Sequence, residues 1–466
     1  MNKNFNITIV ITRDDFYRNF YKTEAFKDLD NEFNVSYVLS DNLPKEETKR
    51  KVFYFQKNIN KETNYRFNYR TFLLMYRAKN KSRTFQFRVE RMLYPLKFKI
   101  NYIPNFNFLK KKDKLKKILF FFIKVVLNNL KYLKLKILSN NYFYKIFSNK
   151  FYYVDKEHKT FTNKLAETNP NLIILPFGSQ ELILPQVVKF CRDNKINSYF
   201  ITDNWDNLSS KSIIEDKPNF IGVWGEQAKN HAIQIQNFNQ KQIFLLGSPR
   251  FDIIYDKRDK EIQNDNKFNY ILFLGHLFDW NEEDVIKILD EEISIKKNIY
   301  QDTKIVYRPH PQRIARMRST TLKNVIIDQD LKKIGTYWPS LNNYFKNIQN
   351  SLFVVGSLTS GLLEASAFKK RYMLICYDDE NDFFNQGTLL KRYTHVQGLE
   401  KIETIEFCDK KNDLILKFRS LFEKSMSEPS IKTSNGIDYF ITGDSNNTFR
   451  KNVLKSVVDI IDNSQV

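Results

Sequence analysis

Short apolar runs rich in β-branched residues recur along this chain, and each ends in a compact polar cluster. The run at 304–307 leads into Arg-Pro-His-Pro at 308–311, and the run at 352–355 leads into Gly-Ser-Leu-Thr-Ser-Gly at 356–361. Runs of this length and composition are typical of buried parallel strands, which need helical crossovers between them. The pattern predicts an α/β fold whose polar clusters meet at the carboxyl edge of a sheet, where such folds bind phosphorylated ligands.

The length of the chain and a polar segment near its middle predict two domains. At 466 residues the chain is too long for one ordinary core. Residues 256–267, DKRDKEIQNDNK, are polar and weakly periodic, and strands alternate with helices on both sides of them. We predict a Rossmann-like domain at 1–255, a linker at 256–267, a second Rossmann-like domain at 268–440, and a C-terminal helix in 441–466 that packs back toward the first domain. Two parallel sheets that face each other across a cleft are the expected architecture.

The same pattern predicts individual strands. We expect them at 7–12, 34–39, 172–175, 198–202, 220–224 and 242–246 in the first half, and near 270, at 304–307, at 352–355 and at 372–376 in the second.

Half of the net charge of +22 lies in one segment. Residues from Lys110 to Lys150 include twelve lysines against Asp113 alone, and apolar residues recur among them at near-helical spacing. Two interpretations of this predicted helical insertion at 95–155 stay open: a basic amphipathic helix that contacts an anionic membrane surface, or a solvated hairpin whose lysines face water. Nucleic acid is not an expected partner, because no recognition motif accompanies the charge.

Three widely spaced cysteines form no metal or redox pattern and argue against a disulfide framework. The first apolar run, of about six residues, is too short for a signal peptide, and no stretch approaches the roughly 18 apolar residues of a membrane span. We therefore expect a cytoplasmic protein, peripheral on the inner face of the membrane if the basic helix binds lipid.

The turn at 308–311 is the most informative cluster. His310 stands between two prolines, which limit the backbone and aim the ring, and Arg308 and Arg313 place cations beside it. Such a histidine would donate to a phosphate or stabilise charge that builds in a transition state. Pro311 and Gly275, which follows the first strand of the second domain, are expected beside the same phosphate. The alternative is a turn whose histidine only caps the strand.

A second cluster offers hydroxyls at the start of a predicted helix. Ser357, Thr359 and Ser360, with Gly361, are suited to an anion, and Glu364 would reach a ribose hydroxyl pair one turn later. A plain helix cap with Glu364 as a first-turn acid is the alternative.

The first half supplies candidates for a general base. Asp206 follows the predicted strand at 198–202 and would activate an acceptor hydroxyl; Asp14 and Asp15, after the first strand, are its competitors. A structural turn in which these side chains bond the backbone is equally open. The loop at 247–252 is expected to line the cleft.

The sequence Asp328-Gln329-Asp330 matches a metal-binding Asp-x-Asp pattern. It ends an apolar run and has no carboxylates nearby in sequence, so we interpret it as a solvated strand end. We expect neither an essential metal nor a cofactor.

Taken together, these motifs resemble a family. ITDNWDNLSSK at 201–211, VWGEQAKNHA at 223–232, LLGSPRFD at 245–252 and YRPHPQR at 307–313, followed by the serine and threonine turn, are similar to bacterial surface-polysaccharide glycosyltransferases of the GT-B architecture. The resemblance spans about 171–378. The motifs are similar in particular to those of enzymes that use CMP-activated ulosonic acids, the sialic-acid and Kdo class, and of the related CDP-glycerol glycerophosphotransferases.

The resemblance implies roles for matching residues. In sialyltransferase-like members a His-Pro motif and a Ser/Thr pair bind the phosphate and the cytidine of the nucleotide, and these fall on His310-Pro311 and Thr359-Ser360. Where the family often has a glycine after the lysine of the first-domain loop, this chain has Lys211-Ser212.

The resemblance implies a metal-independent glycosyltransferase with a nucleotide-sugar donor and a glycan or lipid-linked glycan acceptor. A CDP-glycerol-type glycerophosphotransferase and a non-hydrolysing sugar-nucleotide epimerase are the alternatives within this architecture. A non-enzymatic protein that binds lipid or nucleic acid through its basic surface is a further one.

Overall fold

A computed structural model describes most of the chain. The described residues are 4–45, 47–56, 61–94, 111–149, 156–178, 181–258, 268–277, 280–313, 321–328, 341–378, 385–429, 431, 435–444 and 446–464. Parts of the predicted insertion, 95–110 and 150–155, and residues 259–267 of the predicted linker lie outside them.

The first sheet contains seven parallel strands. They are β1 (Asn6–Ile11), β2 (Asn34–Ser40), β3 (Lys51–Phe55), β4 (Leu172–Phe177), β5 (Asn197–Thr202), β6 (Phe220–Val223) and β7 (Ile243–Leu245). Their order across the sheet is β3-β2-β1-β4-β5-β6-β7. Every residue of β4 is buried, because helices cover both faces of a parallel sheet. The strand order reverses between β1 and β4, which makes this the switch point of the sheet.

The second sheet repeats this design with six parallel strands. They are β8 (Tyr270–Leu274), β9 (Lys304–Arg308), β10 (Val325–Ile327), β11 (Val354–Gly356), β12 (Tyr372–Ile375) and β13 (Ile405–Cys408). Their order is β10-β9-β8-β11-β12-β13, with the switch point between β8 and β11. The two sheets confirm the predicted fold class of two Rossmann-like α/β domains.

Helices connect and cover the strands. They are α1 (Asp14–Phe16), α2 (Lys27–Glu32), α3 (Lys61–Arg77), α4 (Arg83–Leu93), α5 (Lys111–Ser139), α6 (Asn141–Asn149), α7 (Lys156–Glu167), α8 (Ile183–Asp193), α9 (Asn207–Ser210), α10 (Glu226–Gln234), α11 (Pro249–Arg258), α12 (Glu282–Ile295), α13 (Lys297–Tyr300), α14 (Leu341–Asn350), α15 (Gly361–Ala367), α16 (Gln386–Arg392), α17 (Leu414–Ser427) and α18 (Phe449–Ser464). A π-helical segment, Tyr17–Tyr21, follows α1 directly.

Two helices cross between the halves of the chain. Phe251 and Ile254 of α11 are buried in a core cluster with residues of the second sheet, and α11 ends at Arg258, so the first three residues of the predicted linker are helical. In return, α18 buries Phe449 and Val453 among residues of the first sheet. The carboxylate of Asp252 accepts a hydrogen bond from the Phe449 amide at 2.8 Å and so caps α18.

Four helices, α3 to α6 (61–93 and 111–149), form a layer between β3 and β4 in sequence, which we call the helical layer. It therefore begins well before the predicted insertion. Phe85 and Leu135 are buried in a cluster within this layer, because the two helices that carry them pack on the same small core. Arg70 of α3 pairs with Glu215 and, at 3.0 Å, with Asp216, which ties the layer to the first domain. Among the described residues, no helix combines the length and the apolar character that crossing a membrane requires.

Candidate functional site

A cavity of about 650 Å³ lies between the carboxyl ends of the two sheets. The segments that follow β1, β5, β8, β9 and β11 all contribute to its wall, together with residues of α4, α11 and α14 and of the segment after α16. The strand ends at both switch points, β1 and the pair β8 and β11, lead into this one space. Open parallel sheets bind ligands at that position, because the strand ends diverge there and leave a crevice.

Gly275 directly follows β8 and allows the turn at 308–311 to approach. Its amide donates a hydrogen bond to the carbonyl oxygen of Arg308 at 2.9 Å. A Cβ atom at position 275 would lie 3.0 Å from Cα of Pro309 and 3.1 Å from the amide nitrogen of His310. Any side chain would therefore push the turn away. With glycine at this position, the cavity wall includes Gly275, Pro309, His310 and Pro311 side by side.

His310 is half-buried on this wall. Burial, and secondly the charge of Arg313, lower the pKa of His310 to about 4. The imidazole is therefore neutral at pH 7 and offers one N–H donor and one acceptor nitrogen. An anion bound beside it would raise its pKa and strengthen the donated hydrogen bond. Arg313 itself ends the 3₁₀ turn Pro311–Arg313 and is not part of the wall.

Arg308 lines the cavity but is held by other side chains. Its guanidinium pairs with Asp328 and lies over the ring of Tyr344, with Cζ 4.9 Å from the ring centre. The predicted solvated position of Asp328 is wrong: the residue is 7% exposed, because β10 pairs in register with β9 and sets Asp328 beside Arg308. Gln329 and Asp330 lie outside the described residues. Arg308 thus anchors the start of the turn.

Four residues that follow β11 reach the cavity, namely Leu358, Thr359, Ser360 and Gly361. A Cβ atom at position 361 would lie 2.6 Å from Cδ1 of Leu274 at the end of β8. The glycine therefore lets this turn pack against the neighbouring strand end. Two hydroxyl groups consequently line the same cavity as His310.

Ser357 and Glu364 do not line the cavity. Ser357 is fully buried, and among the described residues its Oγ has no hydrogen-bond partner. Glu364 has no exposed surface; it pairs with Arg250 of α11 and accepts a hydrogen bond from the hydroxyl of Tyr344 at 2.5 Å. Glu364 therefore joins α15 to α11 and does not face the space in which a ligand would lie.

Asp206 lies between β5 and α9, with strong partners. Ser210 donates to its Oδ2 at 2.5 Å, and Nζ of Lys211 lies 3.3 Å from the same oxygen. Burial alone would raise the pKa of Asp206, but Lys211, His395 and these hydrogen bonds outweigh it and hold the pKa at about 2. A carboxylate this acidic is a weak base, because proton acceptance follows basicity. Its geometry favours a fixed negative charge.

The surroundings of Asp203, three residues earlier, shift its pKa in the opposite direction. Burial, followed by the charge of Asp15, raises the pKa of Asp203 above the usual range of a carboxylic acid. Nδ2 of Asn19 donates to its Oδ1 at 2.8 Å and fixes the side chain. Asp203 and Asp15 both line the cavity, whereas Asp14 does not. Among the carboxylates of this wall, Asp203 has the environment of a general base.

Basic side chains outnumber acidic ones around the cavity. The basic residues are Arg18, Arg88, Arg91, Lys211, Arg250 and Arg308, against the acids Asp15, Asp203 and Asp206. Burial, and secondly Arg250, lower the pKa of Arg18 to about 9, and burial lowers the pKa of Arg250 as well. Burial thus disfavours the charged form of both arginines, a cost that an anionic ligand bound beside them would reduce.

Histidines are concentrated at the cavity. The chain has five, and three of them, His276, His310 and His395, line it. The ring of His395 meets Trp205 edge-on, with 5.0 Å between the ring centres. Burial lowers the pKa of His395 to about 4, against the attraction of Asp206. Within the described residues, no group of three or more His, Cys, Asp or Glu side chains is arranged to hold a metal ion.

Sequence reasoning missed several of these residues. Asp203 follows β5 directly, so its place at a strand end was an available signal, and the scarcity of histidine pointed equally to His395. Arg88 and Arg91 gave no signal, because they lie on α4, a helix that only tertiary packing brings to the cavity. Arg18 gave no sequence signal either, because it lies in the π-helical segment, which reaches the cavity only in the folded protein.

No protein-family model and no curated protein matches the chain. Solved structures resemble it in fold. A putative UDP-N-acetylglucosamine 2-epimerase from Listeria monocytogenes has a TM-score of 0.52 at 10% identity, over 98% of this chain and 96% of that one. MnaA of S. aureus, solved with UDP, has a TM-score of 0.50 at 9% identity, over 98% of this chain and 97% of that one. At this identity the likeness concerns the fold alone, and the fold is GT-B.

Proposed function

We propose that the protein is a glycosyltransferase that moves a sugar from a nucleotide donor to a bacterial surface glycan. The observation that carries the proposal is the composition of the cavity, where six basic residues and three histidines surround a space at both switch points of a GT-B fold. The phosphates of a nucleotide sugar are the anions that such a setting favours. A cavity of about 650 Å³ also falls within the size range of small-molecule sites.

In this proposal the second domain holds the donor. The hydroxyls of Thr359 and Ser360 and the backbone at Gly275 contact the phosphates. His310 donates its N–H to the phosphate oxygen on which negative charge grows as the glycosidic bond breaks. Arg308, held by Asp328, keeps the turn in place. The positive charge of the wall stabilises the departing nucleotide, so the proposed reaction needs no metal.

The first domain presents the acceptor. The carboxylate of Asp203 takes the proton of an acceptor hydroxyl while the hydroxyl oxygen attacks the anomeric carbon. One bond forms to that carbon, the bond to the phosphate oxygen breaks, and the nucleotide leaves with the bonding electron pair. Asp15 acts on this step by raising the pKa of Asp203, and Asp206 contributes a fixed charge. The donor class in this proposal is a CMP-activated ulosonic acid.

A sugar-nucleotide epimerase is the second candidate. Asp15 and Asp203 share one compartment with three histidines, and this arrangement also suits removal and return of a proton on a single bound nucleotide sugar. Incubation with one nucleotide sugar and no acceptor separates the candidates. An epimerised donor supports the epimerase, whereas slow hydrolysis or an unchanged donor supports the transferase.

Thermal unfolding with CMP, CDP and UDP tests the proposed ligand class. A ligand that binds only the folded protein raises Tm in proportion to the logarithm of its concentration. Stabilisation by CMP alone supports an ulosonic-acid donor, by UDP alone a UDP-sugar, and by CDP alone a glycerophosphotransferase. Arg91→Met should reduce the shift, while Arg192→Met, on the exposed end of α8, should not. A protein that none of these nucleotides stabilises contradicts the proposal.

A further inference from the structure

Helix α5 exposes apolar side chains on the face turned away from the protein. Asn128 and Leu135 lie on its inner face, at 7% and 3% exposure. Seven large apolar side chains on the opposite face are 45–63% exposed: Leu119, Ile123, Val126, Leu127, Leu130, Leu133 and Ile137. Their spacing of three and four residues aligns them into one stripe, about 27 Å long at the helical rise of 1.5 Å per residue. We call this stripe the apolar ridge.

Exposed large hydrophobic residues are concentrated at and next to the apolar ridge. Of the nineteen large hydrophobic residues exposed in the described part of the chain, ten lie within 119–146. The last three of them, Tyr142, Phe143 and Ile146, belong to α6, which follows α5 at once. Scattered exposed apolar residues are normal on a soluble protein, but contiguous stripes of this size mark interaction surfaces.

The charge around the ridge selects the partner. Five lysines of the same two helices are exposed, namely Lys116, Lys131, Lys134, Lys136 and Lys145. Residues 111–149 contain ten lysines and a single acid, Asp113. Two like copies of this segment would repel each other, because the charge has one sign. A surface that is at once apolar and negatively charged is the complement, and an anionic lipid bilayer has both properties.

We propose that the apolar ridge docks on the surface of an anionic membrane. Its leucine, isoleucine and valine side chains enter the boundary between headgroups and acyl chains, and its lysines meet the lipid phosphates. The helix lies in the plane of the interface, since no described helix is able to cross a bilayer. Docking does not depend on the reaction proposed for the cavity.

The helical layer connects the ridge to the cavity. Val89 of α4 and Leu135 of α5 share one buried cluster. The same helix α4 places Thr84, Arg88 and Arg91 on the cavity wall. A docked ridge therefore holds the cavity at the membrane surface, where a lipid-linked acceptor would be found. This last step alone rests on the proposed function.

Sedimentation of the full chain with vesicles tests the docking. We expect binding to phosphatidylcholine vesicles that contain phosphatidylglycerol, little binding to phosphatidylcholine alone, and weaker binding at high salt. Leu127→Ser combined with Leu130→Ser should weaken binding at least tenfold, because two inserted side chains are lost. The matched control is Leu416→Ser on α17, whose leucine is 69% exposed away from the helical layer.

A charge series gives a second test. Lys116→Glu with Lys131→Glu should weaken binding at least tenfold, whereas Lys410→Glu with Lys455→Glu, outside the helical layer, should change it by less than about threefold. Thermal unfolding confirms that each variant folds. The proposal is overturned by absence of binding to anionic vesicles, or by binding that the ridge variants leave unchanged. Sedimentation velocity without lipid measures self-association. If the protein self-associates and the ridge variants abolish this, the ridge binds a second copy of the chain and the proposal is overturned as well.

Discussion

The two walls of the cavity carry different titratable groups. Its acids, Asp15, Asp203 and Asp206, all follow strands of the first sheet, and its histidines, His276, His310 and His395, all belong to the second domain. The second domain does have acids close by, but Asp328 and Glu364 are buried in ion pairs with arginines. The first wall therefore presents carboxylates to the cavity, where Asp206 pairs with Lys211, Asp15 pairs with Arg13 and Asp203 is held by the amide of Asn19. The second wall has its acids behind it, in ion pairs. We call the first the acid wall and the second the histidine wall.

This division shows how one cavity can serve two opposite electrostatic needs. A wall whose nearby carboxylates are enclosed in ion pairs with arginines repels phosphate oxygens less than a wall that presents carboxylates to the ligand. A wall with a carboxylate of raised pKa can accept a proton near neutral pH. We therefore expect substitutions on the first wall to affect removal of the acceptor proton. Substitutions on the second wall should affect how well the negative charge of the leaving nucleotide is stabilised.

The largest effect is expected on the acid wall. Asp203→Asn should lower turnover by about 10³-fold without lowering nucleotide affinity, since a positioned general base contributes 10²–10⁴-fold in rate and the lost negative charge only reduces repulsion of the phosphates. Steady-state kinetics and nucleotide titration measure the two quantities. Asp193→Asn, an exposed carboxylate of α8, is the control and should be silent. A larger loss in Asp206→Asn than in Asp203→Asn would reverse our assignment of the base.

The next effect is expected on the histidine wall. His310→Ala should lower turnover by about 10²-fold in a folded protein, as removal of one charge-stabilising donor does elsewhere. His310→Asn keeps an N–H donor and should retain more activity than the alanine variant. Turnover at the wild-type level in a folded His310→Ala protein would remove the histidine wall from the mechanism.

A smaller effect is expected from pH. In the free protein the pKa of His310 is about 4, and the bound phosphate of the donor raises it, so binding takes up a proton between the two values. Protonation of Asp203 changes the charge of the cavity in the same direction. Affinity for a nucleotide sugar, whose phosphates do not titrate here, should therefore rise as pH falls from about 7 to about 5, by at most about tenfold per pH unit for each proton taken up. Calorimetric titration should show a shallower rise in His310→Asn; an affinity that falls with pH would contradict the comparison.

The smallest effect is expected from metal removal. In the proposed reaction the cationic side chains of the cavity supply the positive charge that a leaving nucleotide needs, so dialysis against a chelator should leave turnover unchanged. A loss that is restored by one divalent cation would show that the basic residues do not suffice.

The strands of both sheets were largely predictable, because they are apolar runs between polar turns. β1, β2, β5 and β9 were placed within one or two residues of their observed ends. β3 and β13 were missed, since Lys51–Phe55 and Ile405–Cys408 are short and mix charged with apolar residues. The helical region between β1 and β2 is divided by the π-helical segment Tyr17–Tyr21, which no local pattern indicates.

The candidate site was predictable where it lies at strand ends, and not where it depends on pairs distant in sequence. The turns at 308–311 and 359–361 follow strands, so their place at the sheet edge could be inferred. The pairing of Arg250 with Glu364 joins two halves of the chain, and no local pattern indicates it. The buried place of Glu364 is a property of the assembled domains.

The packing of α18 determines when the first domain can be completed during synthesis. Phe449 and Val453 belong to the core of the first sheet, although they are made after every residue of the second. On the ribosome the second sheet can therefore close while the first still lacks one of its core helices. The apolar surface that α18 covers in the first domain therefore stays exposed until α18 has left the ribosome. A chaperone that shields exposed apolar surface would be needed during that interval.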